Sequence, residues 1–181
     1  EEIEKNIGVS RTPVLSALKR MVNEGMLETS RGSGFYIPKF ELEDIEKLAT
    51  AITMLGHCVC AEAIKKVTAD DIKRLRKLVE ETLDAATNGT AMEYYKKDYE
   101  FHMAIAGIAD NCYLCDTYSR FVRLSDLMWN VNRRLRPKDV WMMKPEQHAK
   151  ICDALETKND QELHEMIGAH HQLIYRLAAE N

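Results

Sequence analysis

Beyond residue 40, apolar side chains recur at helical spacing almost to the end of the chain. This periodicity confines most of the sequence to packed α-helices. Ile45, Leu48, Ala49, Ile52, Leu55, Val59 and Ala63 form one stripe within residues 41–66. Thr68-Ala69-Asp70-Asp71 reads as a capping box that opens a second helix, with Ile72, Leu75, Leu78, Val79 and Leu83 inward. Asn88-Gly89 ends it, and Thr90-Ala91-Met92-Glu93 caps a third helix expected to run to about Ala109. Asn111 breaks the pattern, and a long helix is expected from about Cys112 to Leu135, ahead of Pro137. Two more helices are expected, one after Pro145 and one after Asn159-Asp160.

The first 38 residues read differently. Glu1 to Asn6 looks like the end of a helix, and its abrupt start on Glu1 leads us to expect missing N-terminal residues. Ile7-Gly8-Val9 makes a tight turn, Ser10 is placed as an N-cap, and Pro13 falls in the first turn, where its missing N–H costs little. Val14, Leu18, Met21 and Val22 give a helical stripe that Gly25 terminates. Met26 to Thr29 and Gly34 to Ile37 are strand-like runs joined as a hairpin by Arg31-Gly32-Ser33-Gly34. Helix, turn, helix and hairpin in this order form a small α+β unit, which is compatible with a DNA-binding winged helix. Arg11 and Thr12 then stand at the start of the second helix. An arginine there can read guanine or clamp a phosphate, and the helix N-terminus favours an anion.

Net charge is −4 over 181 residues, so any DNA contact must come from a local patch. The 5 cysteines, an odd number, and the lack of a secretory signal imply free thiols and a cytoplasmic location. No run of 18 apolar residues occurs, and no membrane span is expected. Cys58-x-Cys60 and Cys112-x-x-Cys115 fall in helical pattern rather than in zinc knuckles and are read as core thiols, with a redox role open for the second pair. Trp129 and Trp141 are assigned to the core or to pocket walls.

One Asp and three His stand at suggestive positions. Asp98 and His102 are four apart, on one face of one helix. His148 precedes Ile151, Cys152 and Leu155, and His170 is flanked by Leu163, Met166, Ile167, Leu173, Ile174 and Leu177. His171 has poorer apolar company and is expected to face outward, while His57 and His164 have no comparable context. Each inward His could be an ordinary hydrogen-bonded core residue. If the three helices converge, three imidazoles and a carboxylate suit a divalent transition metal: Zn²⁺ first, with Ni²⁺, Mn²⁺ or Fe²⁺ as alternatives. Such a site with an open position could also serve a metal-dependent hydrolase, although no general base stands near the ligands in sequence.

Ile7-Gly8-Val9-Ser10-Arg11-Thr12-Pro13-Val14, Ala17-Leu18, Glu24-Gly25-Met26-Leu27 and Arg31-Gly32-Ser33-Gly34-Phe35-Tyr36-Ile37 closely resemble the winged helix of the GntR family of bacterial regulators. The resemblance implies DNA contacts from Arg11, Thr12, Lys19, Arg20, Arg31, Gly32, Ser33 and Gly34. The chain departs from the family at Leu15-Ser16, where Arg-Glu is usual and the Arg is a common DNA contact. Asp98-Tyr99-Glu100-Phe101-His102, Gln147-His148-Ala149-Lys150-Ile151 and Ala169-His170 resemble the metal-binding FCD effector domain of the FadR subfamily. That likeness implies Asp98, His102, His148 and His170 as ligands, with a small carboxylate effector on the metal's open positions. The Arg-x-x-Leu-Glu often found on the first effector-domain helix is replaced by Ile52-Thr53-Met54-Leu55-Gly56. Arg123 or Asn132 on the long helix is the expected substitute.

The expected fold is mainly α: a winged helix–turn–helix over residues 1–38 with a small β-hairpin wing, then an all-α effector bundle over residues 39–181. The expected function is a metabolite-responsive repressor, not an enzyme, acting as a homodimer on a double-stranded DNA operator.

Overall fold

A computed structural model of the chain describes residues 6, 8–30, 34–131 and 137–180. Among the described residues the fold is mainly α, with seven helices and one two-stranded hairpin. The chain divides into two compact units, Glu1–Phe40 and Glu41–Asn181.

In the first unit, helix α1 spans Arg11–Asn23. Ser10 occupies the N-cap in extended conformation, without a side-chain cap bond. At the other end the Gly25 N–H donates to the Val22 carbonyl at 3.0 Å and the Met26 N–H to the Met21 carbonyl at 2.9 Å. This pair of bonds is a Schellman motif, and it places Gly25 at φ 81°, where a glycine is favoured. The hairpin pairs β1 (Glu28–Ser30) antiparallel with β2 (Gly34–Tyr36), with Thr29 opposite Phe35. The expected helix ending at Asn6 lies outside the described residues, apart from Asn6 itself, which is helical.

The second unit is a bundle of α2 (Leu42–Lys66), α3 (Ala69–Asn88), α4 (Ala91–Ala109), α5 (Cys112–Val131), α6 (Pro137–Glu156) and α7 (Asp160–Glu180). Capping boxes start three of these helices, at Glu41 and, as expected from the sequence, at Thr68 and Thr90. The Glu41 N–H donates to Asp44, the Thr68 N–H to Asp71 and the Thr90 N–H to Glu93. Each uses an acidic residue to satisfy a donor the helix leaves unpaired. Among the described residues α2 alone is long and apolar enough to cross a membrane by length and composition. Its apolar stripe (Ile45, Ala49, Ile52, Val59, Ala63) is buried, and the helix packs against α4, α5 and α7. The core joins Val59 and Ala63 to Leu75 on α3, Phe101 and Ile105 on α4, Ile151 and Leu155 on α6, and Leu163 and Ile167 on α7. Arg76 on α3 reaches across to Asp153 and Glu156 on α6.

One boundary differs from expectation. Helix α6, the fifth of the bundle, begins at Pro137, eight residues before Pro145, which lies inside it. Proline removes one helical hydrogen bond and crowds the preceding turn. Tertiary packing overrides that cost here. Trp141, Lys144, Pro145, His148, Ile151 and Cys152 are all buried along one face that spans the proline.

The Thr68 cap is exposed and allows the bundle to be tested without touching the core. Thr68→Ala should lower stability to denaturant by about 1 kcal/mol, and an unchanged unfolding midpoint would show that the cap contributes nothing.

Candidate functional site

The capping box at Thr90 fixes the start of α4, and from there Tyr94, Asp98, Phe101, His102 and Ile105 fall on its buried face. His148 on α6 is fully buried, with its ring stacked on Phe101 at 4.0 Å between centroids. His170 and His171 on α7 are both buried, after Leu163 and Ile167 of the same helix. The ligating atoms of His102, His148 and His170 lie within 4.8 Å of one another. Asp98 closes the group, its Oδ1 3.6 Å from His148 Nε2 and its Oδ2 3.7 Å from His102 Nε2. Asp98, His102, His148 and His170 are therefore brought to one point from three helices.

The hydrogen bonds around this point decide what it can hold. His170 Nδ1 lies 3.0 Å from Gln147 Oε1. A carbonyl oxygen can only accept, so Nδ1 carries the proton and Nε2 presents a lone pair. His102 Nδ1 lies 3.0 Å from the Tyr118 hydroxyl, which also stands 3.1 Å from His171 Nε2. A hydroxyl that accepts from His102 and donates to His171 leaves His102 Nε2 as a second lone pair. The two Nε2 atoms face each other at 3.2 Å. Both nitrogens of His148 are buried and without a hydrogen-bond partner among the described residues. Facing lone pairs and orphaned imidazole nitrogens call for a cation. Nitrogens about 2.0–2.1 Å from one ion stand roughly 3.0–3.4 Å apart, as the His102–His170 pair does. The residues fit a divalent metal.

Burial keeps the imidazoles neutral, the form that ligates. His102 is lowered to about 4 because desolvation outweighs the pull of Asp98. His148, His170 and His171 are pushed well below the ordinary range, first by burial; Asp98 opposes this at His148 and His171, while the neighbouring histidines and Lys144 add to it. Burial also opposes the charge on Asp98, but Lys144 and the histidines hold its carboxyl well below the usual carboxylate range. Lys144 is itself buried, and its Nζ donates to Asp98 Oδ2 at 3.1 Å. Its ammonium is held above its ordinary value: burial lowers it, and Asp98 and Asp126 more than compensate. Asp126 on α5 is pushed well up, by burial and then by Asp98.

Beside the cluster lies a recess of about 290 Å³, counting its open mouth. Asp98, His102, Asp126, Trp129, Lys144 and His170 are among its walls. Arg123 is not. Its guanidinium donates to the Tyr99 hydroxyl at 3.0 Å and to Ser119 at 2.5 Å. Asn132 lies outside the described residues.

Several neighbours escaped the sequence reading. His171 faces inward, contrary to expectation: it is buried and bonded to Tyr118. The space for it comes from Gly56 on α2, where a Cβ would meet His171 Nε2 at 2.7 Å. Lys144 stands four residues before His148 and Asp126 four after Val122, so both were at core spacing. Charged side chains are rarely fully buried unless paired. Trp129 and Trp141 are buried, as expected. Of the four cysteines read as core thiols, Cys60 alone is buried, whereas Cys58 and Cys112 are exposed and Cys115 is intermediate; Cys152, outside those pairs, is buried.

In the N-terminal unit, Arg11 and Thr12 are exposed on the first turn of α1, and Lys19 and Arg20 are exposed further along it. Arg20 pairs with Glu24 at 3.3 Å. Gly34 opens β2 at φ 83°, while Arg31, Gly32 and Ser33 lie outside the described residues.

Residues 47–173 match the FCD domain family, and residues 1–37 match the gntR family of bacterial regulatory proteins. The chain belongs to the GntR family. Its bundle is an FCD domain. The Uxu operon regulator of Haemophilus influenzae is 26% identical over 93% of this chain and 68% of its own length. The Nta operon transcriptional regulator of Aminobacter aminovorans is 29% identical over 94% of this chain and 79% of its own. Among solved structures, Escherichia coli McbR/YncC superposes with a TM-score of 0.83 at 20% identity, covering 99% of this chain and 84% of that one. A GntR regulator from Rhodococcus sp. RHA1 gives 0.71 at 16% identity, over 99% and 84%. At these identities the structural likeness speaks for the fold alone. This GntR chain is a transcription regulator and not an enzyme, which sets aside the hydrolase reading.

The buried imidazoles make stability depend on pH in a definite direction. Folding lowers the His102 imidazole from its ordinary value of 6.5 to about 4. Between those values the unfolded chain binds more protons, so stability falls as pH is lowered. The thermal midpoint of the metal-free protein should drop steadily from pH 6.5 towards about pH 4. A flat profile across that window would contradict neutral, buried imidazoles.

Proposed function

We propose that this GntR-family chain is a repressor that acts as a homodimer on a pseudo-palindromic DNA operator and is governed by a small carboxylate bound at a divalent metal in the FCD domain. Zn²⁺ is the first choice, and Ni²⁺, Mn²⁺ and Fe²⁺ suit the same donors. Asp98, His102, His148 and His170 hold the ion. The observation that carries this reading is the orphaned pair of nitrogens on fully buried His148, in a cluster whose other imidazoles are already oriented by Gln147 and Tyr118. The bound ion supplies a Lewis-acidic seat for a carboxylate oxygen. The chain supplies the rest: neutral imidazoles, a carboxylate to balance charge, and a recess that admits only a small group beside Trp129.

Arg11 and Thr12 reach the operator from the start of α1, with Lys19, Arg20 and the segment Arg31 to Gly34 as further contacts. Two copies related by a twofold axis would present two such units to two half-sites. The effector can alter DNA affinity only by preferring one arrangement of the dimer over another. The site of action is the cytoplasm, where the operator is.

Two measurements test this. Purified protein should carry about one metal per chain, and His148→Ala should weaken metal binding by more than the roughly 10–100-fold typical of losing an outer hydrogen-bond partner. Full metal content in that variant would sink the assignment. In a titration at fixed salt, Arg11→Ala should cost about 1–3 kcal/mol of operator binding and relax the sequence preference. Equal affinity for operator and unrelated DNA in the intact chain would count decisively against the regulator's proposed target mode.

A further inference from the structure

Lys144 is the feature that the metal reading does not absorb. An ammonium donates to Asp98 Oδ2, the carboxylate that is to serve the ion, from 3.1 Å away. Both groups are shut off from water: the side chain of Lys144 is 9% exposed and that of Asp98 is 0% exposed. Asp98 Oδ2 is thereby shared between Lys144 and the edge of His102. A divalent ion held by Asp98 would stand beside this ammonium in a poorly screened interior, where like charges repel strongly. A second carboxylate, Asp126 on α5, lines the same recess as Lys144 and Asp98. The walls of the recess thus offer one fixed cation and two acidic seats for it.

Resting on the metal reading above, we propose that Lys144 is a built-in counter-ion that competes with the divalent metal for Asp98, and that Asp126 receives the ammonium when the metal displaces it. In the metal-free protein Lys144 neutralises a carboxylate that would otherwise be buried and unpaired. Loading the ion exchanges partners: Asp98 turns to the metal and Lys144 to Asp126. The exchange moves one positive charge from α4 towards α5 within the bundle. It sets metal affinity below what the donors alone would give, so occupancy responds to supply rather than being permanent.

The test uses the full chain and the metals alone, Zn²⁺ and Ni²⁺, with affinity read by competition against a chromogenic chelator. Thermal midpoints of the metal-free proteins are measured in parallel. Lys144→Met should bind metal at least tenfold more tightly than the parent while melting lower when metal-free. A lysine that merely supports Asp98 would give the opposite affinity change, and unchanged or weaker binding by Lys144→Met overturns the proposal. Asp126→Asn should bind metal more weakly in the parent background and make little difference in Lys144→Met, because its effect runs through the displaced ammonium. Equal weakening in both backgrounds would reduce Asp126 to a general electrostatic influence and refute its role as a seat. Should Lys144→Met fail to fold, Lys144→Gln takes its place with the same expected signs. If neither the parent nor any variant binds metal, the metal reading itself fails and this proposal falls with it. Binding in the parent without tightening on loss of Lys144 refutes the competition alone.

Discussion

Asp98 is a negative charge with none of its side chain in water. Burying an isolated carboxylate is so costly that it would sooner take up a proton than stay charged. The surrounding architecture answers this demand from several elements. Lys144 on α6 donates to it, Tyr94 on α4 offers its hydroxyl at 3.4 Å, and His102 and His148 turn ring edges towards it. Removing one partner of such a buried pair typically costs about 3–5 kcal/mol, whereas replacing both by apolar groups can be neutral. The arrangement therefore makes little sense as a stabilising device. A charge kept at this expense is better explained by work on a cation.

The aromatic packing follows the same constraint. Tyr94 stacks on Trp141 at 5.0 Å, and Phe101 stacks on His148. Together they hold α4 and α6 at a spacing that lets two imidazoles and one carboxylate share a point. Gln147 and Tyr118 then set which ring nitrogens face inward. Preorganisation of this kind keeps ligands oriented before the ion arrives.

The periodic positions were the legible part of this sequence. Asp98 and His102 share a face because they are four apart, and His148 and His170 stand on strong apolar stripes. Caps at Thr68 and Thr90 were readable from their acidic partners three residues on. What escaped reading was whatever depends on a second helix. Lys144 and Asp126 are at core spacing, but a charge there makes sense only when its partner is known. His171 looked outward because its own helix gives it little apolar company. Pro145 reads as a start signal because local rules weigh the lost hydrogen bond and cannot weigh the buried face that carries the helix through it. The winged unit was readable through its motif, since its short helix and hairpin bury little.

Gly56 gives this dependence its sharpest form. It lies on α2, far in sequence from every proposed ligand, and carries only a hydrogen where another residue would carry a carbon 2.7 Å from His171 Nε2. That nitrogen lies 3.1 Å from the Tyr118 hydroxyl, which also stands 3.0 Å from His102 Nδ1. Gly56 on α2 thus leaves room for the ring that Tyr118 links to His102 on α4. Any side chain at position 56 would press on that ring, although Gly56 itself contributes no polar side chain to the cluster.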